Sequence, residues 1–70
     1  MKGQESPQQE AFTVASFCKA HGISKGMFYV LLEDGSAPAT MLVGRRRLIS
    51  REAAEKWRER MTKITSQKAA

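Results

Sequence analysis

Seventy residues with a single cysteine leave room for one small domain without an internal disulfide, and the lack of any Cys/His cluster removes structural zinc as a substitute. No stretch approaches the roughly 20 consecutive apolar residues of a membrane-spanning helix. Twelve Lys and Arg against seven Asp and Glu give a net charge of +5 and a pI near 9.9, which turns attention to polyanionic partners, nucleic acid first among them.

Residues 1–10 (MKGQESPQQE) are polar, include Gly3 and Pro7, and show no apolar period, so a disordered leader is expected there. No signal peptide is expected, and the lone thiol fits a reducing, cytoplasmic setting. A domain is expected over 11–64. Thr13 is a good helix N-cap, with Phe12 before it placed to staple onto Phe17, the fourth helical residue. Val14, Phe17, Cys18 and His21 recur at helical spacing, and Gly22 supplies a left-handed stop. The pattern repeats at once: Ile23 precedes a second N-cap, Ser24, and Phe28 stands at the stapling position. Met27 or Phe28, with Leu31 and Leu32, forms the apolar face, and Glu33-Asp34-Gly35-Ser36 ends the helix. Two short helices joined by a tight glycine-containing turn make a helix-turn-helix motif. Cys18, near the crossing of the two helices, reads as a small buried hydrophobe without a partner base. His21 reads as a C-terminal turn residue favoured by the helix dipole.

Beyond Pro38 the composition changes. Thr40 to Val43 and Arg46 to Ile49 have strand character on either side of Gly44, which predicts an antiparallel hairpin. Alternation then sends Arg45 and Arg47 to one face and Arg46 to the other. Ser50 caps a third helix from Arg51 to about Met61 or Ile64, with Ala53 or Ala54, Trp57, Met61 and Ile64 on its core face and a flexible tail over 65–70. The expected order is α-α-β-β-α, a small α+β domain, mostly α.

Nothing here resembles catalytic equipment. There is no Gly-rich phosphate loop, no paired metal ligands and no Ser/His/Asp arrangement, so neither an enzyme nor a cofactor is expected. A DNA-binding reading uses the chain's features together. The second helix of such a motif enters the major groove N-terminal end first, and here that end offers Ser24, Lys25, Gly26 and, one turn on, Tyr29. Lys25 can reach a guanine edge or a phosphate, and the Tyr29 hydroxyl suits a phosphate oxygen. Gly26 lowers helix propensity at a surface position, for close approach of backbone to DNA or through neutral drift. Three consecutive arginines at a hairpin tip suit a minor groove between its phosphate walls, and a solvated charged turn is the plain alternative.

From Phe12 to about Met61, some 50 of the 70 residues, the chain resembles the excisionase and MerR-type winged-helix DNA-binding domains. The resemblance rests on an ordered set: Phe12-Thr13-Val14, His21-Gly22-Ile23-Ser24, Phe28-Tyr29, Leu31-Leu32 with Gly35, Pro38-Ala39, Gly44 to Ile49, and Ala53-Ala54 with Trp57. It implies a winged helix-turn-helix with a two-stranded hairpin wing. The second helix would dock in the major groove and the wing would reach an adjacent minor groove or the backbone. Two positions depart from the pattern: Val30 stands where many members carry a basic residue, and Arg46 where an aromatic is common. The long dimerisation helix of full MerR-type regulators is not expected in these 70 residues, which brings the resemblance nearer to the small excisionases of prophages and integrative elements.

The DNA-contacting set expected on this basis is Thr13, Ser24, Lys25, Gly26, Tyr29, Arg45, Arg46 and Arg47. The expected partners are double-stranded DNA, with an integrase or neighbouring copies of the chain beside it, and neither a membrane nor a small-molecule substrate. A transcriptional regulator of the same fold, or a protein-interaction adaptor with a basic surface, are the competing roles.

Overall fold

Each helix begins where the sequence places a hydroxyl. The computed structural model describes residues 10–69, so the expected leader lies outside the described residues apart from Glu10, as does Ala70. The elements are β1 (Ala11–Thr13), α1 (Val14–His21), α2 (Lys25–Asp34), β2 (Met41–Val43), β3 (Arg46–Ser50) and α3 (Arg51–Ala69). Thr13 caps α1 through a reciprocal pair: its Oγ1 accepts from the Ser16 N–H at 3.0 Å, and Ser16 Oγ accepts from the Thr13 N–H at 3.0 Å. Ser24 Oγ accepts from the Met27 N–H, and Ser50 Oγ from the Ala53 N–H, each at 3.0 Å. Gly22 and Gly35 close α1 and α2 at φ 70° and 83°, a left-handed conformation that side chains with a Cβ resist.

The expected order lacked a strand. Ala11–Thr13 pairs antiparallel with β3 (Ala11 with Ser50, Phe12 with Ile49, Thr13 with Leu48), so the hairpin becomes a three-stranded antiparallel sheet of order β1-β3-β2. The element order is therefore β-α-α-β-β-α, in a small, mostly helical α+β fold. Three residues are too few for strand periodicity to register. The physical link is Thr13 itself: an N-cap residue needs extended backbone, and at φ −76°, ψ 168° Thr13 ends a strand and caps a helix at once. Ser50 does the same at the junction of β3 and α3, with no loop between. The two strand-to-helix junctions lie at opposite ends of this short ladder, and the Arg51 N–H donates to the Glu10 carbonyl at 2.9 Å, extending it past the Ala11–Ser50 pair.

The core is Phe17, Cys18, Phe28, Ile49, Ala54 and Trp57, with Phe12, Val14, Ile23, Leu31, Leu32, Ala53 and Met61 packed around it. Phe28 rather than Met27, and Ala54 rather than Ala53, take the fully buried positions. The Phe12 staple is present: its ring meets Phe17 edge-on, with centroids 5.9 Å apart. His21 is more than a turn residue. It stacks on Phe17 at 4.1 Å, its Nδ1 lies 2.8 Å from the Phe17 carbonyl, and its Nε2 lies 2.9 Å from an Arg58 guanidinium nitrogen. A carbonyl on one side and a cationic donor on the other fix the tautomer with the proton on Nδ1. Trp57 Nε1 donates to the Ser36 carbonyl at 2.7 Å, and Arg60 donates to the Ala37 carbonyl at 3.1 Å, so α3 holds the segment leading from α2 to β2.

The third helix passes its expected end and continues to Ala69, through residues read as tail. Ile64, placed on the core face by periodicity, is 39% exposed and stands outside the core, whose last packed residue along α3 is Met61. Among the described residues no helix is long and apolar enough to cross a membrane. Replacing Thr13 by Ala removes the acceptor for the Ser16 N–H and leaves the Thr13 N–H bonded to Ser16 Oγ; we expect it to lower stability by about 1 kcal/mol in urea unfolding, more than Ser16→Ala.

Candidate nucleic-acid interface

The eight expected contact residues fall into two groups on one side of the molecule. Thr13, Tyr29, Arg45, Arg46 and Arg47 line a single open cleft of about 370 Å³ between the start of α1, the outer side of α2 and the β2–β3 hairpin, with Leu42 contributing from β2. Ser24, Lys25 and Gly26 lie outside that cleft, at the exposed N-terminal turn of α2, one turn before Tyr29. Gly26 and Tyr29 also line a second recess on the outer face of α2, with Val30, Leu32 and Glu33.

The hairpin does not treat its arginines alike. Val43 pairs with Arg46, so Gly44 (φ 64°) and Arg45 form the two-residue turn. Arg45 is therefore outside the strand, and the alternation expected to put it on one face with Arg47 does not apply; Arg46 and Arg47 alone alternate. Arg46 and Arg45 are exposed, and among the described residues their guanidinium groups have neither an ion pair nor a hydrogen bond. Arg47 is half-buried and donates to Thr40 Oγ1 at 2.8 Å, which commits part of its hydrogen-bonding capacity to bracing the hairpin. Thr40 was not anticipated as a partner; its place at the foot of the facing strand, where an arginine can reach back across the pair, is the signal that could have shown it.

The Thr13 hydroxyl is likewise engaged in its cap, so at the cleft it contributes position rather than a free donor. Ser24 is exposed and uses its hydroxyl as an acceptor for Met27. The Lys25 and Gly26 N–H groups belong to the first turn and have no carbonyl one turn back to bond. Neither α1 nor α2 carries an acidic residue in its first turn, so nothing there repels an anion. Tyr29 is half exposed, its ring set edge-on to Phe28 at 5.4 Å.

Behind this surface, Cys18 is buried with its Sγ 3.7 Å from the Ser24 carbonyl. Burial pushes its thiol above the ordinary value of 9.0, partly offset by the positive charge of Lys25. A larger recess of about 580 Å³ runs along the exposed side of α3, where Glu55, Glu59, Arg58 and Lys63 alternate in sign; it is a groove on one helix and gathers no convergent chemistry. Among the described residues no cluster of three or more His, Cys, Asp or Glu could hold a metal ion.

Comparison with protein-family models, with curated proteins and with solved structures gives no match.

Gly26 is the most informative residue on the candidate surface. Its backbone is not left-handed, and a Cβ built there would meet only Ser24 Oγ, at 3.8 Å. The fold has no need of a glycine at this position, and glycine gives the unfolded chain more freedom to lose than alanine would. Gly26→Ala is expected to raise stability by roughly 0.5–1 kcal/mol, seen as a higher denaturation midpoint with an unchanged slope. For Cys18 the sign follows from its raised value: the folded chain holds the thiol proton more tightly than the unfolded chain. That contribution is complete below pH 9.0 and is lost as pH climbs through the raised value. The stability difference between the native chain and Cys18→Ala should therefore narrow in alkaline solution, measured by urea unfolding across a pH series.

Proposed function

We propose that this chain is a double-stranded DNA-binding protein of winged helix-turn-helix type, with α2 in the major groove and the β2–β3 hairpin as the wing against the adjacent backbone or minor groove. The observation that carries the reading is the convergence on one face of Tyr29, two arginines at a hairpin tip that have no partner among the described residues, and a cationic N-terminal turn of α2 free of acidic side chains. Phosphate contacts of this kind position a protein on duplex, and base contacts from the inserted helix select the sequence. Lys25 reaches a base edge or phosphate from the leading end of α2, the first-turn N–H groups of Lys25 and Gly26 face phosphate oxygen, and Arg45 and Arg46 neutralise the opposite wall.

Within that class we assign the role of an excisionase, supported by the resemblance of residues 12–61 to those proteins. Such a protein binds beside the attachment site of a prophage or integrative element, bends the DNA, and helps an integrase run toward excision. It needs no catalytic residue. A promoter-binding regulator would use the same surface, and selection of bound genomic fragments separates the two by where the sites fall: at an attachment region or at a promoter.

Affinity for random duplex measured against salt tests the class itself. The logarithm of the binding constant should fall steeply with the logarithm of salt concentration, and Arg45→Ala and Arg46→Ala should each reduce that slope by about 1. Arg47→Ala should reduce it less, because Thr40 already holds part of its guanidinium. Absence of binding at low salt would overturn the DNA reading.

A further inference from the structure

The outward face of α2 carries few of the side chains that read bases by paired hydrogen bonds. Phe28, Leu31 and Leu32 turn inward, which leaves Gly26, Val30 and Glu33 in a line along the opposite side, with Tyr29 on one flank and Met27 on the other. Val30 is 57% exposed and Met27 48% exposed, and no Arg, Asn or Gln stands on the helix. Gly26 and Val30 are one turn apart, both are poor helix formers, and neither is required by the packing. The recess they line, of about 390 Å³, is bounded by the Val30 side chain and the missing side chain of Gly26. Cations lie on the Tyr29 side of this strip: Lys25 one turn before Tyr29 on the same helix, and Arg45 and Arg46 across the cleft that Tyr29 shares with the hairpin. Positive charge bordering an apolar strip complements a DNA groove, where phosphates border base edges that bear one kind of apolar group, the C5 methyl of thymine.

We propose that α2 selects its target through thymine methyl groups, with Val30 as the principal specificity residue, Met27 beside it, and Gly26 admitting the base edge close to the helix backbone. This inference rests on the DNA-binding reading and goes beyond it in naming what is read. Glu33, next on the same line, accepts from an exocyclic amine of cytosine rather than from a guanine edge, so its contact is compatible with the same face.

The test begins with selection of duplexes from a randomised pool by the full chain, followed by resynthesis of a selected duplex with single thymines replaced by deoxyuridine, which lacks only the methyl group. One or two positions should lose about fourfold in affinity each, the effect of one buried methyl. Val30→Ala should weaken binding to the thymine duplex by a similar factor and make it indifferent to deoxyuridine at one of those positions, while its thermal unfolding stays native-like. If deoxyuridine is tolerated everywhere, or if Val30→Ala keeps the full penalty, thymine reading is wrong and DNA binding stands. If no duplex is retained at low salt, both readings fail. If Val30→Ala instead changes the sedimentation of the free chain, the strip is a contact between protein molecules, and the proposal is overturned.

Discussion

The ring of Phe17, fully buried, meets aromatic rings from three other elements: Phe12 of β1 at 5.9 Å, Phe28 of α2 at 5.8 Å and Trp57 of α3 at 5.3 Å, with His21 of its own helix stacked at 4.1 Å. In a chain with no disulfide and so small a core, this cluster is what sets the angle between the helix pair, the sheet and the long third helix. Polar ties are added at its margin. The Arg58–His21 contact and the Trp57–Ser36 bond both run from α3, so the helix that packs on the cluster also fixes the end of α1 and the approach to β2.

The candidate surface is positioned by that arrangement without forming part of it. Because Phe28, Leu31 and Leu32 commit one side of α2 to the core, the opposite side must carry whatever the helix shows to solvent. That side includes two exposed apolar side chains and a glycine. In the same way, Ile49 anchors β3 in the core while Arg46, three residues earlier, stands clear of it. Short elements therefore let one residue hold the fold while a near neighbour serves the surface.

Much of this was legible in the sequence, for a local reason. Thr13, Ser24 and Ser50 as caps, Gly22 and Gly35 as stops, and the Phe12–Phe17 staple are signals spanning four or five residues, and the backbone obeys them directly. What escaped was non-local. The strand at Ala11–Thr13 exists because β3 lies beside it, and nothing within three residues announces a partner so far along the chain. The unequal arginines were hidden for the same reason: their spacing is uniform, but Thr40 bonds one of them and a turn takes another out of the strand. A buried Trp57 did contain a usable clue, since an indole N–H inside a core requires an acceptor, but which carbonyl supplies it depends on how the loop after α2 folds back.

The pairing of β1 with β3 also bears on the order in which the molecule assembles. Ala11 and Ser50 come together only when the whole helix pair and hairpin between them have been brought round. A bare loop of that length would carry a sizeable closure entropy, but this one holds two capped helices and a tight hairpin, each able to form from near neighbours. Joining the ends then aligns pieces already shaped. Thr13 and Ser50 make that step cooperative: zipping β1 onto β3 holds both residues extended, the conformation from which each starts its helix. Register in the sheet and the extended caps of the first and last helices are thus fixed together, by a ladder only three residues long.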